Sequence, residues 1–497
     1  MDPLAGVQRF RALFVACTAP VALLLGSCAS PHAGIYMPTQ AQLEYRSAES
    51  SFGGFNYREA TDFVEFCVEL DNQDDRYNAR RALNAATLPS GPQRTDLLAG
   101  LERNSPHIDP TLWDPNPVFD SRQRVAEAYV AFKALPTLSE EEFKALPDDD
   151  PRRWFRLFGA LEKTASAKKI DRLDVHEISS NPDLNGFGPW QNAWLMYQGV
   201  GKNAGRYAIV IRGTVFSNQP SAFDDVYFQP VIARGFRSRY VSFSDAPAAS
   251  VHSGFAHAAF SLLLDLRFGI LPALASLRVP DGAKLYIVGH SQGAGIATLV
   301  HAALHYGMRD AELEGDDALG LKGRNYQLKS YVFAQPKPGN FDFAASFARI
   351  TQYVDNAIVI NNNLDPVTQV PLTLESTGDL AADFGGGSTL ARFVRWISSF
   401  GAAIRGGLGA VLERKTREHS AGFGRFYKWK AISPLNEEDA VGSSWNFMSA
   451  GRVIWVYGLN PPPAGSDDFF QHHATTYRVL VCDQLGSEGT RPCSNWR

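Results

Sequence analysis

The chain has 497 residues, and 48 Lys and Arg against 52 Asp and Glu leave a formal net charge of −4. That near-neutral balance excludes a protein built mainly to grip nucleic acid, which needs a basic face against phosphate. Hydrophobic residues at 45% and aromatics at 12% supply ample core, which excludes wholesale disorder; the length fits about two to three domains, or one large α/β domain with additions. Residues 1–27 read as a signal peptide. Arg9 and Arg11 precede an apolar run from Ala12 to Leu25, shorter than the roughly 20 residues a membrane span needs.

That run ends in Leu25-Gly26-Ser27-Cys28, which resembles the lipobox of bacterial lipoprotein signals. The resemblance implies cleavage before Cys28 and lipidation of Cys28, with the protein anchored in the bacterial cell envelope, at the outer membrane. An ordinary secretory signal with an incidental cysteine is the alternative. Several acyl chains make a stable anchor where one is marginal. No later stretch reaches about 18 unbroken apolar residues, so the mature chain is expected to be anchored to a membrane and not to span it. Of the five cysteines, Cys17 leaves with the signal. Cys482 and Cys493 enclose a short polar loop and are a candidate disulfide in an oxidising compartment, which leaves Cys67 as the odd thiol.

Residues 28–185 read as a polar, mainly helical accessory region. Ser139 with Glu142 has the capping-box spacing of a helix start. The string Phe132–Pro136 recurs at Phe143–Pro147, a single short recurrence and not a repeat architecture. No constellation of chemistry-bearing residues stands out here, and the region is given no role.

From residue 186 the texture changes. Asn192–Gln198 and Tyr207–Ile211 predict two strands joined by a hairpin-like Gly201-Lys202-Asn203. Further strands are predicted at Lys284–Val288, Ser330–Phe333, Ala357–Ile360 and Val453–Tyr457, with helices over Gly254–Leu266 and Gly293–Tyr306. Strands alternating with helices predict an α/β domain over residues 186–497, with a mostly parallel central sheet covered by helices on both faces.

Gly289-His290-Ser291-Gln292-Gly293 follows one of those strands and opens one of those helices. This is the context of a G-x-S-x-G nucleophile elbow, where a serine sits on a sharp turn and flanking glycines let helix and strand approach. The helix N-terminus presents backbone N–H groups to developing negative charge. A serine hydroxyl needs a base, and the base an orienting acid. In α/β-hydrolases these follow in the order Ser, Asp/Glu, His, which prunes the eleven histidines to His301, His305, His419, His472 and His473. His301 and His305 lie four apart on the elbow helix with no metalloprotease motif around them, and read as helix-face residues. His419 lies by the basic stretch Arg414–Arg417 and reads as solvated surface. His472 and His473 follow the last strand by a loop, where the fold delivers its base. Asp365 lies just past the strand Ala357–Ile360, at the sheet end where α/β sites assemble, and is the candidate acid.

Four blocks then resemble class 3 lipases, the fungal-type triacylglycerol lipase family. They are Ile211-Arg212-Gly213-Thr214; Val251-His252-Ser253-Gly254-Phe255; the elbow; and Phe333-Ala334-Gln335-Pro336 with Gly339-Asn340, followed by Asp365-Pro366-Val367 and Pro371. The resemblance spans roughly residues 192–480. It implies Ser291 as nucleophile, Asp365 as acid, and Thr214 with the Gln292 N–H as oxyanion donors. The family's histidine precedes a tyrosine by a few residues; His472 lies five before Tyr477 and His473 four before, so His472 is preferred and His473 is the alternative. Ala334 stands where the family usually has glycine, and Gln292 where leucine is common.

Two insertions accompany these blocks. Residues 215–250 are rich in phenylalanine (Phe216, Phe223, Phe228, Phe236, Phe243). Residues 375–451 contain an apolar series at helical spacing, from Leu390 to Val411, accompanied by arginines. Either is a candidate lid. The expectation is a lipid-anchored serine esterase or lipase hydrolysing acylglycerol or phospholipid esters through an acyl-enzyme, with no cofactor or metal. Its partners are the lipid ester and, through Cys28, the membrane, with no nucleic acid. The rival readings are an acyltransferase using the same acyl-enzyme and a non-catalytic cell-envelope binding protein.

Overall fold

A computed structural model describes residues 52–85, 87, 89–133, 139–145, 174–188, 190–215, 230–235, 241–313, 319–371, 446–463, 466–467 and 469–485. The signal segment, Cys28, His419, Cys493, four of the five insertion phenylalanines and the apolar series Leu390–Val411 lie outside these residues.

Stretches such as Trp194–Gln198 and Lys284–His290 are apolar at odd and even positions alike, the pattern of strands buried on both faces. In chain order the elements are helices α1 (Tyr57–Asp71), α2 (Gln73–Leu83) and α3 (Gly91–Arg103), strand β1 (Phe119–Asp120), and helices α4 (Ser121–Lys133), α5 (Glu140–Ala145) and α6 (Val175–Ser180). Then follow β2 (Trp194–Gln198), β3 (Arg206–Ile211), β4 (Pro230–Ile232), β5 (Ser250–His252), α7 (Ser253–Leu264), α8 (Ile270–Ser276), β6 (Lys284–His290), α9 (Gln292–Leu313) and β7 (Gln327–Phe333). The last are β8 (Gly339–Asn340), α10 (Phe341–Ile350), β9 (Ala357–Asn362), β10 (Phe447–Met448), β11 (Arg452–Val456) and α11 (Ala474–Leu485).

Seven strands form the main sheet in the order β1-β2-β3-β6-β7-β9-β11. The β1–β2 and β2–β3 pairs are antiparallel, and from β3 onward every pair is parallel. A second, four-stranded antiparallel sheet has the order β10-β8-β5-β4. The fold is that of an α/β-hydrolase, with helices on both faces of a mostly parallel sheet. The Ser139–Glu142 capping box forms reciprocally at the start of α5. Among the described residues no helix is long and apolar enough to cross a membrane.

Strand alternation sorts the core into two layers. Met196, Ile209, Leu285, Ile287, Val332 and Val359 face α7, α9 and α10. Tyr197, Val210, Tyr286, Val288, Tyr331 and Ile358 face α1 and α11. Helix α1 therefore supplies core to the sheet. Phe63 packs 4.8 Å from the Tyr286 ring and 5.2 Å from Tyr331, and Phe66 stacks on Tyr197 at 4.2 Å. Each such fully buried aromatic contributes about 1.5–3 kcal/mol by burial alone. At its start, Asn56 accepts the Arg58 and Glu59 N–H groups. Glu59 accepts from the buried Lys329 ammonium at 2.7 Å and from Tyr286 O–H at 2.6 Å. Fifteen residues of helix at 1.5 Å each span about 22 Å, close to the roughly 23 Å of a seven-residue strand. Asp71, at the far end of α1, consequently arrives beside the C-terminal ends of β3 and β6.

Candidate active site

Strand β6 ends at His290, and α9 begins at Gln292. Ser291 is left alone between them in the left-handed region, at φ 57°, a strained position for a residue with a side chain. Its N–H donates to Phe333 O at 3.0 Å, and its carbonyl accepts the Ala294 N–H at 2.9 Å. The glycines of the motif are dictated by contact. A Cβ on Gly289 would lie 2.2 Å from Gly293 O, and one on Gly293 would lie 2.3 Å from Ile211 O. At Gly295 a Cβ would meet the Phe255 ring at 2.6 Å. Phe255 is itself stacked on His252, which caps α7, so the Val251–Phe255 block shapes the seat of the elbow helix.

Asp365 lies three residues beyond β9 and is buried. Its carboxylate accepts three donors: the Val367 N–H on Oδ1 at 2.9 Å, and the His472 Nδ1–H and Tyr477 O–H on Oδ2, each at 2.8 Å. Because an ionised carboxylate only accepts, Nδ1 of His472 carries the proton. Nε2 is then the acceptor, and it lies 2.8 Å from Ser291 Oγ. His472 is buried at the end of a single 3₁₀ turn, Phe470–His472. His473, one residue on, points elsewhere: its Nε2 lies 3.0 Å from both Asp467 carboxylate oxygens on an exposed surface. The structure thus brings Ser291, Asp365 and His472 together and leaves His473 outside the chain of hydrogen bonds.

Gln292 follows the nucleophile directly in the chain, and Thr214 follows Gly213, which packs against it. Gln292 is the first residue of α9 and is buried, with its backbone at the positive end of the helix. Thr214 follows β3. Gly213 before it is packed so closely that an added Cβ would sit 3.1 Å from Ser291 Cβ. Arg212 is buried and donates to Asn185 Oδ1 and to Gln191 O, the latter at 2.6 Å. Burial pulls its guanidinium down to about 10.

Two side chains at the site escaped the sequence reading. Tyr477 shows in the sequence only through its spacing from the histidines; its buried phenol donates to Asp365 and accepts the Asn362 N–H at 2.8 Å. Burial and the neighbouring Asp365 charge push its ionisation well above the usual range, so it stays a donor. Asp71, in the region given no role, accepts from Gly213 N–H and pairs with His290, and no local pattern announces it. His301 and His305 stand apart from this group. His301 is buried with Nδ1 3.1 Å from Ser330 Oγ and the Phe347 ring edge-on, and burial drives its imidazole down to about 3. Cys482 is disulfide-bonded, and Cys67 is a buried free thiol. Among the described residues no group of three or more His, Cys, Asp and Glu side chains is placed to hold a metal ion.

Residues 208–375, from within β3 to beyond the Asp365 loop, match the family model described as Lipase (class 3). The chain is similar to a solved triacylglycerol lipase described as having a catalytic centre formed by a serine protease triad, with 21% identity and a TM-score of 0.24. That match covers 37% of this chain and 57% of the lipase, so the chain spans little more than half its length. It is also similar to M37 lipase (18% identity, 63% of this chain and 94% of that one, TM-score 0.30). A third likeness is to the mono- and diacylglycerol lipase of Aspergillus oryzae (21% identity, 37% and 55%, TM-score 0.25). No curated protein matches the chain.

Proposed function

We propose that the protein is a serine esterase that hydrolyses carboxylic esters of lipids. The observation that carries the proposal is the unbroken run of hydrogen bonds Asp365–His472–Ser291, at 2.8 Å and 2.8 Å, with the hydroxyl on a strained turn at the strand ends. The class 3 lipase match over residues 208–375 supports the choice of ester and lipid.

In this mechanism Ser291 Oγ attacks the ester carbonyl carbon as His472 Nε2 takes its proton. Asp365 holds the imidazole in the tautomer that can accept it and stabilises the imidazolium that forms. Negative charge moves to the carbonyl oxygen, where the Gln292 N–H and Thr214 receive it; one such donor is worth about 3–4 kcal/mol in comparable sites. His472 then protonates the departing alkoxide, leaving an acyl-Ser291. Water, deprotonated by the same imidazole, adds to the acyl carbonyl, and the imidazolium returns that proton to Ser291 Oγ as the carboxylic acid leaves. The amino-terminal segment belongs to the same proposal: lipidation at Cys28 would hold the enzyme in the cell envelope, at the outer membrane, next to its substrates.

The test compares wild type with Ser291→Ala for p-nitrophenyl ester hydrolysis and for labelling by a fluorophosphonate. Loss of both in the variant is expected, and equal rates and labelling in the two proteins would refute the assignment. Product analysis with glycerol present separates hydrolysis from acyl transfer. Metabolic labelling with a fatty-acid probe, lost in Cys28→Ala, is the expected result for the anchor.

A further inference from the structure

The β3–β6 ladder, which sets the oxyanion strand beside the elbow strand, runs in register only as far as Ile211 opposite Gly289. Thr214 and Ser291 both lie beyond that last pair. One carboxylate continues the connection past it. Asp71 Oδ1 accepts the Gly213 N–H at 2.8 Å, and Asp71 Oδ2 lies 2.6 Å from His290 Nδ1. Gly213 immediately precedes Thr214, and His290 immediately precedes Ser291. The fit leaves no slack: a Cβ on Gly213 would lie 2.9 Å from His290 O and 3.2 Å from Asp71 Oδ1.

The pair is shielded from water, with side-chain exposures of 4% for His290 and 12% for Asp71. Because the carboxylate accepts only, it holds the His290 proton on Nδ1. His290 Nε2 is buried with no hydrogen-bond partner among the described residues, and its ring lies 4.9 Å from the His472 ring. Helix α1 has docking contacts besides Asp71: the Glu59 ion pair with Lys329 and the contacts of Phe63 and Phe66.

We infer that Asp71 is a positioning residue for the ester hydrolysis proposed above, clamping Gly213 to His290 so that Thr214 and Ser291 stand in register. The inference rests on that reading of the site. A carboxylate from a helix outside the family-matched segment thereby sets the distance between nucleophile and oxyanion donor. Misplacement of reacting groups by about 1 Å can cost on the order of 100-fold in rate, so a clamp at this place acts on the chemical step and not on substrate affinity.

The test uses the full chain and two variants. Asp71→Asn keeps an acceptor for Gly213 but turns a donor toward His290 Nδ1, forcing the other tautomer; Asp71→Ala removes both contacts. Active sites are titrated with a fluorophosphonate, and kcat and KM for a p-nitrophenyl ester are taken per titrated site. Expected are a fall in kcat of about tenfold for Asp71→Asn and about 100-fold for Asp71→Ala, with KM within about twofold of wild type. A merely structural aspartate would lower the titratable fraction and leave kcat per site unchanged; that result overturns the inference while the esterase reading stands. If Asp71→Ala does not fold, the near-isosteric Asp71→Asn decides alone. A wild-type protein inert to ester and probe would remove the esterase reading and this inference with it.

Discussion

Tyr477→Phe isolates one hydrogen-bonded group beneath the site. The phenol is fully buried and makes two bonds, donating to Asp365 Oδ2 and accepting the Asn362 N–H, each at 2.8 Å. Phenylalanine keeps the ring and its packing against α1 and the sheet, so the change deletes both bonds without emptying the core. A hydrogen bond to a charged acceptor contributes about 1.5–3 kcal/mol, and a buried N–H left without a partner costs about 1–3 kcal/mol. The variant should therefore be about 3–4 kcal/mol less stable, allowing for partial relaxation. Catalysis should suffer less than stability. Asp365 retains the Val367 N–H and the His472 Nδ1–H, and a loosened but still charged acid should lower kcat by about tenfold. Asp365→Asn, which removes the charge and the tautomer preference, should cost about 10⁴-fold. Urea denaturation gives the first quantity and ester hydrolysis under saturating substrate the second. A Tyr477→Phe protein with wild-type stability and wild-type kcat would show that the phenol does not hold the acid, and the account of how Asp365 is oriented would fail.

The two adjacent histidines should separate cleanly. His472→Ala should lose at least about 10³-fold in kcat as the base is removed, whereas the exposed pair of His473 with Asp467 should make His473→Ala indistinguishable in rate; a reversal of that pattern in ester kinetics would displace the assigned base. Stability should fall in acid because of His301. Burial lowers its pKa from 6.5 to about 3, so the unfolded chain takes up a proton that the folded chain refuses. That contribution is intact above pH 6.5 and is lost as pH falls toward 3, about 3 kcal/mol of it by pH 4.5. Urea melts at pH 7 and 4.5 should show a smaller drop for His301→Asn than for wild type, and an equal drop would place the acid sensitivity elsewhere. Glu59→Gln leaves the fully buried Lys329 ammonium without its counter-charge and should destabilise the protein by about 3–5 kcal/mol; an unchanged urea midpoint would mean that the pair does not pin α1.

Much of this molecule could be read locally because the physics behind it is local. The elbow is a strand, a turn and a helix contiguous in the chain, and its two motif glycines answer to atoms four residues on and at the end of the adjacent strand. Asp365 sits just past a strand that the unbroken apolar run Ala357–Ile360 marks. The six strands expected after residue 186 correspond to β2, β3, β6, β7, β9 and β11, each within a few residues, since runs apolar on both faces have few alternatives to a covered sheet. β1 has two residues, too few to show a period.

Other matters were decided only when distant segments met. The difference between His472 and His473 is one residue of backbone, so composition and spacing cannot separate them. The 3₁₀ turn at Phe470–His472 and the docking of α11 turn one imidazole toward Ser291 and the other toward Asp467. Residues 28–185 carry no chemistry-bearing motif, yet α1 covers part of one face of the sheet, because its apolar side is matched by the alternate residues of strands more than a hundred positions later. Asp71 acquires its neighbours for the same reason: the length of α1 equals the length of the strands it crosses, which carries its last residue to the strand ends where Gly213 and His290 lie. A sequence specifies periodicities, turns and caps through interactions along the chain. The partners of a buried carboxylate come instead from packing between elements, and those exist only once the layers are assembled.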